Sequence, residues 1–216
     1  MLTEVEKMWT IFPCGSSAVI EIRAFHHSDK SNVKRRIFRA ADTSSVDNFK
    51  KRVEEYALTL NDQGYNIYIT LNPIKSEFIG QSAKDKDIEY RDLLLIDIDR
   101  AGDTRNPATE AELECAKLLG EEVQQHLTSL GWAEPIWVMS GNGYHLYYIL
   151  DNLPNTQEVT EAIRNALNSL AIRFDNEHVH IDTNVYNASR ITKVPGTIMR
   201  KGEESPGRPY RRAVVL

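Results

Sequence analysis

The sequence predicts an α+β chain, with a β-α-β-β-α-β core over residues 91–216 and an N-terminal αβ extension over residues 1–90 packed on it, all in one domain of 216 residues. Three observations carry that expectation. Strand-like and helix-like apolar patterns alternate in that order from Leu93 to Asp182. An Asn-Gly pair, Asn142-Gly143, joins two adjacent β-rich runs. No repeat, low-complexity tract or flexible linker separates the two parts. The length is enough to bury a core without disulfide or metal staples, and a content of 41% hydrophobic and 26% charged residues is the globular balance. No apolar run approaches the roughly 18 residues of a membrane-spanning helix, so no membrane partner is expected.

Taken in order, Ala18 to Phe25 and Arg36 to Arg39 read as strands. A helix follows Ser44, where Val46, Phe49, Val53, Tyr56, Ala57 and Leu60 make an apolar stripe that Gly64 ends. Ile67 to Leu71 is a short β-rich run closed by Asn72 and Pro73, and Leu93 to Asp99 is the next strand. After a loop over Gly102 to Ala108, Thr109 and Glu112 have the spacing of a capping box. They open a helix with Leu113, Ala116, Gly120, Val123, Leu127 and Leu130 on one side, stopped by Gly131. Pro135 to Met139 and Tyr144 to Leu150 then form a hairpin. Val159, Ile163, Ala166, Leu167 and Leu170 mark a helix after Asn155 or Thr156, and a last strand begins near Val179.

This is the ferredoxin-like, or RNA-recognition-motif-like, arrangement: a four-stranded sheet with helices on one face and the other face free. Side chains alternate along a strand, so Leu94, Ile96 and Ile98 oppose Asp97 and Asp99. Likewise Leu146, Tyr148 and Leu150 oppose His145 and Tyr147, and Val179 and Ile181 oppose His178, His180 and Asp182. With each apolar set under the helices, Asp97, Asp99, His145 and Asp182 share the open face on adjacent strands.

The formal charge is −5, yet residues 186–216 carry +5 and leave −10 upstream. An acidic body with a basic flank suits a protein that holds metal cations beside a phosphate ligand. The first residues contain no apolar signal-peptide core. Cys14 and Cys115 stand far apart without a CxxC, which argues against a cysteine zinc site and fits a reducing, cytoplasmic compartment.

Two carboxylates at i and i+2 with a third on a neighbouring strand offer oxygens to a hard divalent cation, Mg²⁺ or Mn²⁺. Two such ions activate a hydroxyl and stabilise a phosphorus undergoing in-line displacement, which is nucleotidyl transfer. Ser140-Gly141-Asn142-Gly143 ahead of His145 lets backbone N–H groups and an imidazole approach a phosphate. Arg190, Lys193, Arg200 and Lys201 are positions that could neutralise a triphosphate.

The run Leu94-Leu95-Ile96-Asp97-Ile98-Asp99, the run Ser140 to His145, and Ile181-Asp182 resemble the three motifs of the archaeo-eukaryotic primase superfamily, in matching order. Tyr68-Ile69-Thr70-Leu71-Asn72-Pro73, the stretch from Tyr186 to Thr197 and Arg200-Lys201-Gly202 extend the resemblance to the primase-polymerase domains of phage and plasmid replication proteins. The resemblance implies that Asp97, Asp99 and Asp182 ligate the catalytic metals. It places Ser140, Gly141, Asn142, Gly143 and His145, helped by Arg190 and Lys193, on the incoming nucleoside triphosphate. Partners would be a single-stranded DNA template and primer, and a helicase-type ATPase domain or protein, since no GxxxxGK[ST] motif is present. The zinc-binding cysteines of some members are absent.

Two other classes compete. His178-Val179-His180 matches the His-hydrophobic-His pair of metal-dependent single-strand nickases, with Tyr186 as nucleophile, but that scheme leaves Asp97, Asp99 and the Gly-rich loop without work. A non-catalytic nucleic-acid binder would need stacking aromatics on the open face, where Tyr147 is the candidate. Three carboxylates there would repel a phosphate backbone unless metals neutralised them.

Overall fold

A computed structural model describes residues 2–12, 14–102 and 104–216. Asp103, in the predicted loop, lies outside the described residues. Strands β1 (Val19–His26) and β2 (Val33–Arg39) form an antiparallel hairpin. Helix α1 (Val46–Asp62) begins after Ser45, whose hydroxyl accepts the Asn48 N–H, and it buries Phe49, Val53, Ala57 and Leu60. Gly64, at φ +91°, takes the left-handed conformation that turns the chain into β3 (Tyr65–Thr70).

Strand β4 (Tyr90–Arg100) leads to α2 (Glu110–Ser129), which opens on the predicted box, Thr109 and Glu112 capping each other's backbone. Its buried side is Leu113, Ala116, Leu119, Gly120, Val123 and Leu127. Leu130, expected on that stripe, lies past the helix end and is 63% exposed. Then come β5 (Ile136–Met139), β6 (Gly143–Pro154), α3 (Gln157–Phe174), capped by Thr156, and β7 (Val179–Ile181). The chain finishes with the short strands β8 (Ile191–Lys193), β9 (Ile198–Met199), β10 (Arg211–Arg212) and β11 (Val214–Val215).

The five-stranded sheet has the order β11-β5-β6-β4-β7, so β4 lies between β6 and β7 as the β-α-β-β-α-β order requires. A second sheet has the order β2-β1-β3-β8, in which the C-terminal flank supplies a strand to the N-terminal extension. One apolar core runs through both parts, and α2 packs on β4, β6 and β7.

The expectation of a free second sheet face is corrected. The ring of Phe12 packs edge-on against Tyr147 at 6.0 Å, and the Thr192 hydroxyl of β8 meets the Tyr147 hydroxyl at 2.6 Å. Leu95 and Tyr147 give that face apolar surface that water would disfavour, and the extension buries both completely or nearly so. Tyr147 therefore cannot be a stacking platform for bases.

The basic flank is held down rather than loose. Arg208 and Arg100 converge on Glu112 at 2.8 and 3.1 Å, and Arg211 pairs with Glu110 at 2.7 Å. Burial alone would raise the Glu112 carboxyl, but hydrogen bonds from Arg208 and the Thr109 N–H, with the charge of Arg100, bring it down to about 2.

Candidate active site

What remains open on the second face is a cavity of about 200 Å³ lined by Asp97 and Asp99 from β4, Ser140, Asn142 and His145 from the β5–β6 hairpin, Tyr68 from β3, and Lys193, Met199 and Lys201 from the C-terminal flank. Strand register builds it. Asp97 pairs with His145 across β4 and β6, and Asp99 pairs with Gly143 on one side and His180 on the other. The His145 Nε2 sits 3.3 Å from Asp97 Oδ1, with the two side chains 8% and 21% exposed. On its other nitrogen, Nδ1, the ring meets the Tyr147 hydroxyl at 3.0 Å and the Thr192 hydroxyl at 3.3 Å. The imidazole is thus fixed from both ends.

The two aspartates are driven apart electrostatically. Burial opposes ionisation of Asp97, but the charge and hydrogen bond of His145, then Arg190 and Lys201, outweigh it and hold the carboxyl below its ordinary value. Burial and then the Asp97 charge push Asp99 up to about 6, against the pull of Lys201, His145 and His180. Tyr68 is pushed up to about 12 by burial and by both aspartates, so it stays a neutral phenol. Two close carboxylates with incomplete cationic compensation form a donor set that a divalent cation would relieve.

Asp182 lies one residue beyond β7, and its N–H donates to the Asp97 carbonyl at 2.8 Å. Its carboxylate does not line the cavity. Oδ1 instead accepts from the N–H and side-chain amide of Asn184 at 2.8 and 3.0 Å. Among the described residues, no group of three His, Cys, Asp or Glu side chains is arranged to hold a metal ion.

The hairpin contributes unevenly. Ser140 turns its hydroxyl onto the Gly143 carbonyl at 3.2 Å, and the Gly141 N–H points to the Met139 sulfur. Asn142 accepts the Ala108 N–H through Oδ1, while its buried Nδ2 has no hydrogen-bond partner among the described residues. That donor is available to a ligand. Gly141 and Gly143 do not line the cavity; Gly143 lies so close to β4 that a Cβ would stand 2.1 Å from the Ile98 carbonyl oxygen.

Of the cations, Lys193 lines the cavity but is buried. Desolvation and then the neighbouring Arg200 hold it well below its usual value, and Nζ donates to the Ile198 carbonyl. Arg190 does not line the cavity; its guanidinium donates to the Asn184 carbonyl. Lys201 does line it, and its charge acts on both aspartates. Met199 and Thr192 are wall residues to which sequence reasoning gave no role, because nothing local marks them. His178 is exposed beside Glu177, and the ring of Tyr186 lies 4.0 Å beneath the Arg164 guanidinium of α3.

The fold is similar to those of solved primase and polymerase domains. Primase RepB′ matches with a TM-score of 0.56 at 12% identity, over 99% of this chain and 55% of its own. The primase-polymerase domain of cyanophage S-2L matches at 0.55 and 14% identity, over 99% and 88%. The polymerase domain of Mycobacterium tuberculosis Ligase D, solved with DNA, matches at 0.52 and 14% identity, over 91% and 74%. This chain spans little more than half the length of RepB′. No family model and no curated protein matches the sequence. No helix among the described residues is long and apolar enough to cross a membrane.

Proposed function

We propose that this chain carries out DNA-templated nucleotidyl transfer, making or extending primers from nucleoside triphosphates with Mg²⁺ or Mn²⁺. The observation that supports it most is the Asp97–Asp99 pair on a central strand of a primase-type fold, set in a cavity with His145, Lys201 and the unpartnered Asn142 amide. Asp97 and Asp99 fit a hard divalent cation by their chemistry, and Asp182, whose N–H donates to the Asp97 carbonyl, would be the residue to complete the ligand set. The metal supplies charge stabilisation at the phosphorus. His145 donates to a phosphate oxygen, its orientation set by Tyr147 and Thr192. Asn142 Nδ2 and Lys201 provide a hydrogen bond and a positive charge.

The nickase reading draws no comparable support, since Tyr186 packs under Arg164 on α3. Primer extension on a single-stranded template should be abolished in Asp97→Ala and fall at least about 100-fold in His145→Ala, in keeping with the loss of a single electrostatic donor. Undiminished incorporation by folded Asp97→Ala protein would refute the assignment.

A further inference from the structure

The four-stranded sheet carries α1 on one face, where Arg36 lies over the rings of Phe38 and Tyr56. The opposite face bears a charged and aromatic rung of side chains that crosses all four strands. Arg35 of β2 stands opposite Arg23 of β1, Arg23 opposite Tyr68 of β3, and Tyr68 opposite Lys193 of β8. Its inner end, Tyr68 and Lys193, is the wall of the aspartate cavity. Its outer end, Arg35, is exposed and makes no hydrogen bond or ion pair within the described residues. At a spacing of about 4.8 Å per strand, Arg35 lies about 14 Å from Lys193.

Two features of this rung serve no purpose in the fold. Like charges directly opposite one another on paired strands are destabilising. Arg23 is compensated by the buried Glu21 carboxylate at 2.8 Å, whereas Arg35 has no ion pair among the described residues. Beside the rung, Phe25 is only half-buried on the same face and meets Tyr68 edge-on at 5.7 Å. A row of cations flanked by an aromatic, leading into an otherwise acidic protein, is the composition that tracks a single nucleic-acid strand. The far part of the face is closed, since the Ala83 N–H and the Ser82 hydroxyl cap Glu21, which leaves the Arg35 end as the approach.

We propose that this face is the path by which a single-stranded template or primer reaches the Asp97–Asp99 cavity, with Arg35 and Arg23 on its phosphates and Phe25 against a base. The path takes its direction from the nucleotidyl-transfer reading, but its test does not depend on activity.

The test is fluorescence anisotropy of a labelled oligothymidylate of about 12 nucleotides, titrated with the protein at several salt concentrations without metal or nucleotide. Arg35→Ala should weaken binding about three- to tenfold and reduce the salt slope by about 0.7. Lys34→Ala removes the same charge one residue away, on the α1 side of β2, and should stay within about twofold of wild type. Phe25→Leu, checked for folding by thermal unfolding, should weaken binding about fivefold or more. Equal losses in Lys34→Ala and Arg35→Ala, or no binding by the wild-type chain, would overturn the path. Binding that depends on Arg35 in a protein that incorporates no nucleotide would support the path and overturn the polymerase reading instead.

Discussion

The hydroxyl of Tyr147 on β6 lies 2.6 Å from the hydroxyl of Thr192 on β8, and this contact joins the two sheets directly beneath His145. Because the same phenol reaches His145 Nδ1 at 3.0 Å, the packing between the N-terminal extension and the core also sets which ring nitrogen faces Asp97. Structural cohesion and site geometry depend on the same two hydroxyl groups.

Tyr147→Phe should therefore destabilise the protein by about 1–3 kcal/mol in urea unfolding, the cost of leaving buried polar partners unsatisfied. Adding Thr192→Val should cost little more, because it removes the group left unpartnered, and the pair should show strong coupling in a double-mutant cycle. Strictly additive losses would mean that the two hydroxyls act independently.

Asp99 gives a pH signature. Its folded-state value of about 6 lies above the ordinary aspartate value of about 3.9, so the folded protein binds more protons than the unfolded chain between those limits. Stability that is present below about pH 4 is lost as pH rises through about 6, with a full difference of about 1–3 kcal/mol. Asp99→Asn should be more stable than wild type by about that amount at pH 8 and equal to it at pH 4, as read by urea midpoints without metal. A wild-type midpoint that rises from pH 4 to pH 8 relative to the variant would contradict the sign. Mn²⁺ should close the gap at pH 8 by stabilising the wild-type protein more.

What could be read from the residue string follows from how local each signal is. Thr109, Glu112 and Gly131 bracket α2 because caps and a left-handed stop are properties of a few adjacent residues. The placement of Asp97, Asp99 and His145 follows from period-two alternation combined with one topological rule. The covering of Tyr147 could not be read, since it depends on Phe12 and Thr192, far away along the chain, with no periodicity linking them. Lys201 is legible as one of four cations suited to a triphosphate, but its place in the cavity wall, which Arg190 does not share, is not. Lys201 reaches the cavity because the side chains of Asn61 and Asn66 bond the backbone at Ile198 and Arg200, steering the flank across β3. The turn was legible only in outline. Asn142-Gly143 signalled a hairpin, but the left-handed residue is Gly141, at φ +107°, because Gly143 already belongs to β6.

Gly143 is constrained by proximity rather than by its backbone angle. A Cβ there would stand 2.1 Å from the Ile98 carbonyl oxygen and 2.9 Å from Asp99 Oδ1, and the first of these is backbone that cannot swing aside. Gly143→Ala must therefore part β4 from β6 at the Asp99–Gly143 pair, two residues from the Asp97–His145 pair. The expected cost is about 2–4 kcal/mol in thermal or urea unfolding, together with weaker Mn²⁺ binding by titration calorimetry. Gly131→Ala is the contrast. Gly131 has φ +89° but nothing within 4 Å of its Cβ position, so alanine there should cost about 1–2 kcal/mol from backbone strain alone and leave metal binding unchanged. If the two variants were equally stable and bound metal equally well, the close approach of β4 and β6 at this pair would not be what holds the aspartates in place.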